Sequence, residues 1–115
     1  MNKLSSKELD LYSNQILEDY DAKKPSQIFK NKIKISNEDA LLIQNKVTEL
    51  RVSRGEEIIG YKIGCISKDT QKKMDLSHPA KGTLWKHELH QNGVELNRKD
   101  YSNPAMEAEF GVILN

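Results

Sequence analysis

One cysteine, three prolines and six glycines in 115 residues leave this chain little covalent or conformational bracing. A lone thiol, Cys65, forms no internal disulfide, which excludes a disulfide scaffold and makes a reducing cytoplasm the expected compartment. Charge of either sign is not in excess: 18 Lys and Arg oppose 17 Asp and Glu. With no basic stripe interleaved with aromatics, nucleic acid is not an expected partner. Long apolar runs are also missing; none approaches the ~20 residues of a membrane span, so no membrane partner is expected. The opening residues Met1–Ser6 are polar and lead straight into a helix pattern, unlike a signal peptide. What remains is a chain of 37% hydrophobic content and mean hydropathy −0.72, enough for one modest core.

Local signals are clear in the first half. Ser5 with Glu8 makes a capping box, and Leu4 with Leu9 is placed as a hydrophobic staple. Leu9, Tyr12, Ile16 and Tyr20 recur at helical spacing, predicting a helix over 6–22 that Pro25 terminates. Ser36 caps a second helix whose buried stripe is Ala40, Ile43, Val47 and Leu50, with Gly55 as a left-handed terminator. After Gly55 the pattern changes. Residues 58–63 are β-branched and bounded by glycine, so they read as a strand. Ser67 caps a short helix through about Met74, and Gly82–Trp85 reads as a strand or pocket wall. Asn92-Gly93, between Leu89–Gln91 and Val94–Leu96, is a hairpin signal. The fold class is α+β: a helical part, 1–56, then a β-rich part, 57–115.

The last eleven residues, 105–115, alternate apolar and polar positions and predict a terminal strand. Glu107 and Glu109 then share one face, about 6.5–7 Å apart along the backbone. Two such carboxylates suit a hard cation, although a solvated strand face would look the same. Lys62 stands in an apolar strand between Gly60 and Gly64, where its amine must reach water, pair with an acid or face a cavity. His78, His87 and His90 lack the spacing of a metal site. Cys65 reads as a small hydrophobe, Ser67 as a cap and Trp85 as packing.

Gly60–Lys68, His78–Leu84 and Glu107–Glu109, in that order, resemble the 2-hydroxypenta-2,4-dienoate (2-keto-4-pentenoate) hydratase and 4-oxalocrotonate decarboxylase family of the fumarylacetoacetate hydrolase superfamily. The resemblance runs from about Ala40 to the end of the chain. It implies helices followed by the opening strands of a mixed β-roll. It implies Glu107 and Glu109 as ligands of Mg²⁺ or Mn²⁺, with a further acidic ligand beyond Asn115, so that these residues form an N-terminal, inactive portion of a larger enzyme. Lys62 matches the family lysine that faces the substrate, as base or carboxylate clamp, and Leu84 a pocket wall. The implied reaction is a lyase reaction, hydration of a small 2-hydroxy-dienoic or 2-oxo acid in aromatic catabolism, through a metal-bound enolate. Decarboxylation, or a truncated chain with no catalysis, is the alternative. Homo-oligomers are implied as well. One position departs: Ala80 stands where relatives often carry Asp, and Lys81 where they carry an aromatic.

Overall fold

Three serines set where the helices start. In the computed structural model, which describes residues 3–31 and 33–114, α1 spans Ser6–Asp21, α2 Asn37–Ser53 and α3 Lys68–Lys73. Met1, Asn2 and Asn115, where the sequence places the polar start and the end of the terminal strand, lie outside the described residues. Ser5 Oγ accepts from the Glu8 amide at 3.3 Å while the Glu8 carboxylate accepts from the Ser5 amide at 3.0 Å, completing the expected capping box. Ser36 and Ser67 cap α2 and α3 in the same way, accepting from Asp39 and Thr70.

The three helices also share one ending. The amides of Lys24, Glu56 and Leu76 return to the carbonyls of Asp19, Arg51 and Gln71, through pivot residues at positive φ. This double closure is the Schellman arrangement. At α2 the pivot is Gly55, as expected, with φ 94°. At α1 it is Lys23, with φ 56°, so the helix stops before Pro25 can act on it. Lys23 and Asp75 carry the Cβ strain of the left-handed region that Gly55 avoids.

Helices α1 and α2 pack on each other. Arg54, just past the end of α2, reaches Asp21 at 2.6 Å, and Lys46 reaches Asp10 at 3.2 Å. Strands β1 (Ile58–Gly64) and β2 (Ala80–Trp85) form an antiparallel pair with Lys62 opposite Gly82 and Gly60 opposite Leu84. Ile59 is an extra residue in β1, a bulge that shifts the register near Ile58. Gln44 of α2 donates to the Lys81 carbonyl at 2.8 Å and so ties the helical layer to β2. The buried apolar residues among those described are Ile28, Ile43 and Trp85. They flank a cavity of about 440 Å³ that Ile16, Val47 and Thr83 also line. The core is thin, in line with the low hydrophobic content.

A buried charge stands where the ends of α1 and α2 meet β2. Arg51, 7% exposed, lies between the Trp85 ring at 4.0 Å and the Tyr20 ring at 4.7 Å. Its guanidinium pairs with Glu56 at 2.7 Å and Glu88 at 3.0 Å, and the Tyr20 hydroxyl donates to Glu88. Burial alone pulls the Arg51 pKa down, but the two carboxylates outweigh it and the net shift is upward. One residue thereby joins α1, α2 and the segment after β2. Tyr20, which marks the helical spacing of α1, is 41% exposed, with its ring on the guanidinium.

The β-rich half departs from expectation at two places. Residues 92 and 93 do turn, with Gly93 at φ 85°, but no strand flanks them; one-turn 3₁₀ helices at Lys86–Glu88 and Arg98–Asp100 stand nearby. Residues 103–114 form no strand among the described residues. A strand exists only with a ladder partner, and here Met106, Phe110, Val112, Ile113 and Leu114 are each at least 80% exposed. The alternation is present in the sequence without a surface to receive it. The fold is α+β with one two-stranded sheet among the described residues.

Candidate functional site

The two faces of the β1–β2 pair do different work. Thr83 and Trp85 face the helices and line the cavity. Gly60, Lys62, Gly82 and Leu84 share the other face by register and alternation. On that face the bare backbone of Gly82 is a track for lysine: a Cβ built there would stand 3.1 Å from Lys62 Cγ. The Lys62 stem therefore lies across its neighbouring strand. The sequence places Gly60 and Gly64 on either side of Lys62, where a pocket could approach the backbone. In the structure a Cβ at Gly64 meets nothing within 4 Å, and one at Gly60 only the Leu84 side chain at ordinary contact, 3.8 Å. Gly82 is the informative glycine, and only the strand register reveals it.

At the end of that track the Lys62 ammonium stands 3.8 Å from Glu107 Oε2 and 3.8 Å from Glu109 Oε1. These are ion pairs too long for hydrogen bonds. The three side chains are 44%, 71% and 52% exposed, so water screens the attraction. Glu107 and Glu109 come to one amine from an irregular segment, not from the strand that the sequence predicts. Leu84 is 40% exposed on the Lys62 face and takes no part in the cavity.

The exit of β1 is fixed beside this site. Cys65 turns the chain at φ 53°, and the buried Gln71 amide donates to the Cys65 and Ile66 carbonyls at 2.9 and 3.3 Å. Ser67 serves as the α3 cap. Ala80 pairs with Gly64 and is half-buried. His87 stands 3.6 Å from Glu56 and 3.7 Å from Glu88, at the edge of the Arg51 cluster and away from Lys62.

Donor chemistry at Glu107 and Glu109 suits a hard divalent cation in kind, since both supply carboxylate oxygens. It falls short in number. No group of three or more His, Cys, Asp or Glu able to hold a metal occurs among the described residues. Mg²⁺ prefers six oxygens in near-octahedral order, so these two ligands need further donors or retained waters.

Comparison with known proteins points to the same family as the motifs. No protein-family model matches the chain. Over 80 residues it is 29% identical to the 2-oxo-hept-4-ene-1,7-dioate hydratase of Escherichia coli, covering 70% of this chain and 30% of that enzyme. Over 75 residues it is 31% identical to the 2-keto-4-pentenoate hydratase of Burkholderia vietnamiensis, covering 65% of this chain and 29% of the enzyme. Among solved structures it shares the fold of part of the 4-oxalocrotonate decarboxylase of Pseudomonas putida G7. In its complex with magnesium and adipate that enzyme gives a TM-score of 0.63 at 19% identity, over 75% of this chain and 34% of the decarboxylase. Its complex with calcium and acetate gives 0.59 at 20% identity. The chain thus spans about a third of the length of these relatives. In sequence the chain is similar to part of 2-keto-4-pentenoate hydratase and its relative, and in fold to part of 4-oxalocrotonate decarboxylase.

Proposed function

We propose that these residues form part of a divalent-metal-dependent hydratase acting on 2-hydroxypenta-2,4-dienoate or a similar small 2-oxo acid. The observation that carries this reading is the convergence of Glu107 and Glu109 on Lys62, in a chain related to hydratases. Glu107 and Glu109 would hold Mg²⁺ or Mn²⁺, together with ligands outside the described residues. Such a cation supplies Lewis acidity, drawing electron density from the 2-oxo group of the substrate. Lys62 sits where its ammonium can hold the substrate carboxylate or pass a proton, and Gly82 keeps its stem flat on the sheet. Leu84, on the same face, offers an apolar wall for the hydrocarbon end of the substrate. Water would then add at the far end of the conjugated system, hydroxyl to one carbon and proton to another.

Decarboxylation is the second reading, supported by the shared fold with 4-oxalocrotonate decarboxylase. A chain without catalysis is the third, supported by the two-donor site and by Ala80 at the position where relatives carry Asp. The division at 56/57, completion of a mixed β-roll, a homo-oligomer and a cytoplasmic location belong to the same proposal.

The test is an assay of the longest native form of the protein with 2-hydroxypenta-2,4-dienoate, following loss of the diene absorbance. Turnover that chelator abolishes, that Mg²⁺ restores and that Glu107→Gln loses supports the hydratase. Full rate in Glu107→Gln removes the ligand assignment. Release of carbon dioxide from 4-oxalocrotonate, without hydration of the dienoate, selects the decarboxylase.

A further inference from the structure

We infer that Lys62 is the resident counter-cation of the carboxylate pair, so that divalent metal enters this site by exchange with an ammonium. The inference rests on Glu107 and Glu109 being the metal ligands. Among the described residues these two glutamates are the ion-pair partners of Lys62, at the same 3.8 Å, and no other acid there draws the amine elsewhere. Its position is also set from below. The stem crosses Gly82, where a methyl group would come within 3.1 Å of Cγ and 3.6 Å of Cδ, and the ammonium beyond it stands 3.8 Å from an oxygen of each carboxylate.

Like charges at this range repel, and a cation bound to these oxygens shares their immediate surroundings with the ammonium. Loading therefore requires the amine to leave the carboxylates or to accept a divalent neighbour at a cost. Either route weakens cation binding. An amine displaced from its carboxylates also gains freedom to meet an anionic group of the substrate, which couples metal loading to carboxylate capture. Neutralising Lys62 while keeping its stem isolates the effect. Arginine, which retains the charge, leaves it in place.

The measurement is Mn²⁺ affinity of the chain by electron paramagnetic resonance at low ionic strength, with circular dichroism to confirm an unchanged fold. Lys62→Met is expected to bind Mn²⁺ about five- to tenfold more tightly than the unaltered chain, with the gain reduced as salt is added. Lys62→Arg is expected to stay within about twofold of the unaltered chain. Equal or weaker binding by Lys62→Met, with Glu107→Gln still weakening it, overturns the exchange and leaves the ligand assignment standing. No uptake by either the unaltered chain or Lys62→Met at millimolar Mn²⁺ overturns both together. Should Lys62→Met lose its fold, Lys62→Gln answers the same question.

Discussion

The Arg51 cluster and the Lys62 site both join one cation to two glutamates, yet they sit at opposite ends of the burial scale. Arg51 is 7% exposed, held between two rings, with its nearer carboxylate at 2.7 Å. Lys62 is 44% exposed and meets its carboxylates at 3.8 Å. In the first arrangement water is largely excluded and both carboxylates are hydrogen-bonded, so the charge holds structure. In the second the ions are solvated and loosely spaced, so they contribute little to stability and remain free to exchange. Geometry separates a buried, hydrogen-bonded cation from a solvated one where residue type does not.

Breaking the Arg51 cluster gives the largest expected effect. Arg51→Met removes the cation shared by Glu56 and Glu88, leaving Glu56 only Arg54 and Glu88 only the Tyr20 hydroxyl, and takes the guanidinium from between the Tyr20 and Trp85 rings. The expected loss is about 2–3 kcal/mol in urea unfolding, less than for a fully buried pair because Glu88 is 41% exposed and Glu56 keeps Arg54. Arg51→Lys should recover little of it, since an ammonium neither stacks on both rings nor makes the forked contact. A midpoint unchanged in Arg51→Met would mean that the cluster decorates the fold without holding it.

Acid should attack the same place. Burial raises the Glu56 pKa, but hydrogen bonds from Arg51 and Arg54 overcome that and leave it below its ordinary 4.5. Asp21 is likewise lowered, chiefly by its hydrogen bond with Arg54. A carboxylate with a depressed folded-state value contributes stability that is present above its unfolded value. That contribution disappears as pH falls through the folded value. Denaturant midpoints should therefore be flat near neutrality and fall on acidification below about pH 4.5. In Arg51→Met the Glu56 part of that fall should shrink.

The Lys62 side of the comparison predicts the reverse pattern. Glu107→Gln should change the unfolding midpoint by less than about 0.5 kcal/mol, because the carboxylate is 71% exposed and its ion pair is screened. Its Mn²⁺ affinity should nevertheless drop by about tenfold or more, since one of two oxygen donors of full charge is gone. The unaltered chain should itself bind Mg²⁺ weakly, on the order of millimolar, for want of donors. Tight stoichiometric uptake in a calorimetric titration would contradict that.

The same contrast explains which features are legible in the sequence. Caps are local, so Ser5, Ser36, Ser67 and Gly55 announce the helix ends from spacing alone. The strand that carries Lys62 is legible for the same reason, from its β-branched residues and bounding glycines. Arg51 is not, because its meaning depends on Tyr20, Glu56, Trp85 and Glu88 arriving from four places. Gly82 reads as strand or pocket wall, since its place against Lys62 follows from register. Residues 105–114 depart in the opposite direction. Alternation there satisfies a strand pattern, but pattern describes what a surface would accept and does not provide the surface.

Two glycines give the smallest and sharpest test of the division. Gly55 and Gly93 both hold positive φ, 94° and 85°, and a Cβ at either would meet nothing within 4 Å. Alanine at each position therefore adds the same backbone strain, about 1 kcal/mol, with no packing difference to confuse it. Gly55 closes α2 and hands the chain from Arg51 to Glu56, so its strain is relieved only when the helical part unfolds. Gly55→Ala should lower global stability by about 1 kcal/mol. Gly93 turns a segment whose flanking Leu89, Val94 and Leu96 are 65%, 49% and 51% exposed, with no strand pairing to lose. The segment can relax that strain locally while the helices stay folded. Gly93→Ala should move the global midpoint by less than about 0.3 kcal/mol and show its effect in faster amide exchange near residue 93. Equal losses at the two positions would mean that the irregular half unfolds together with the helices, as one cooperative unit.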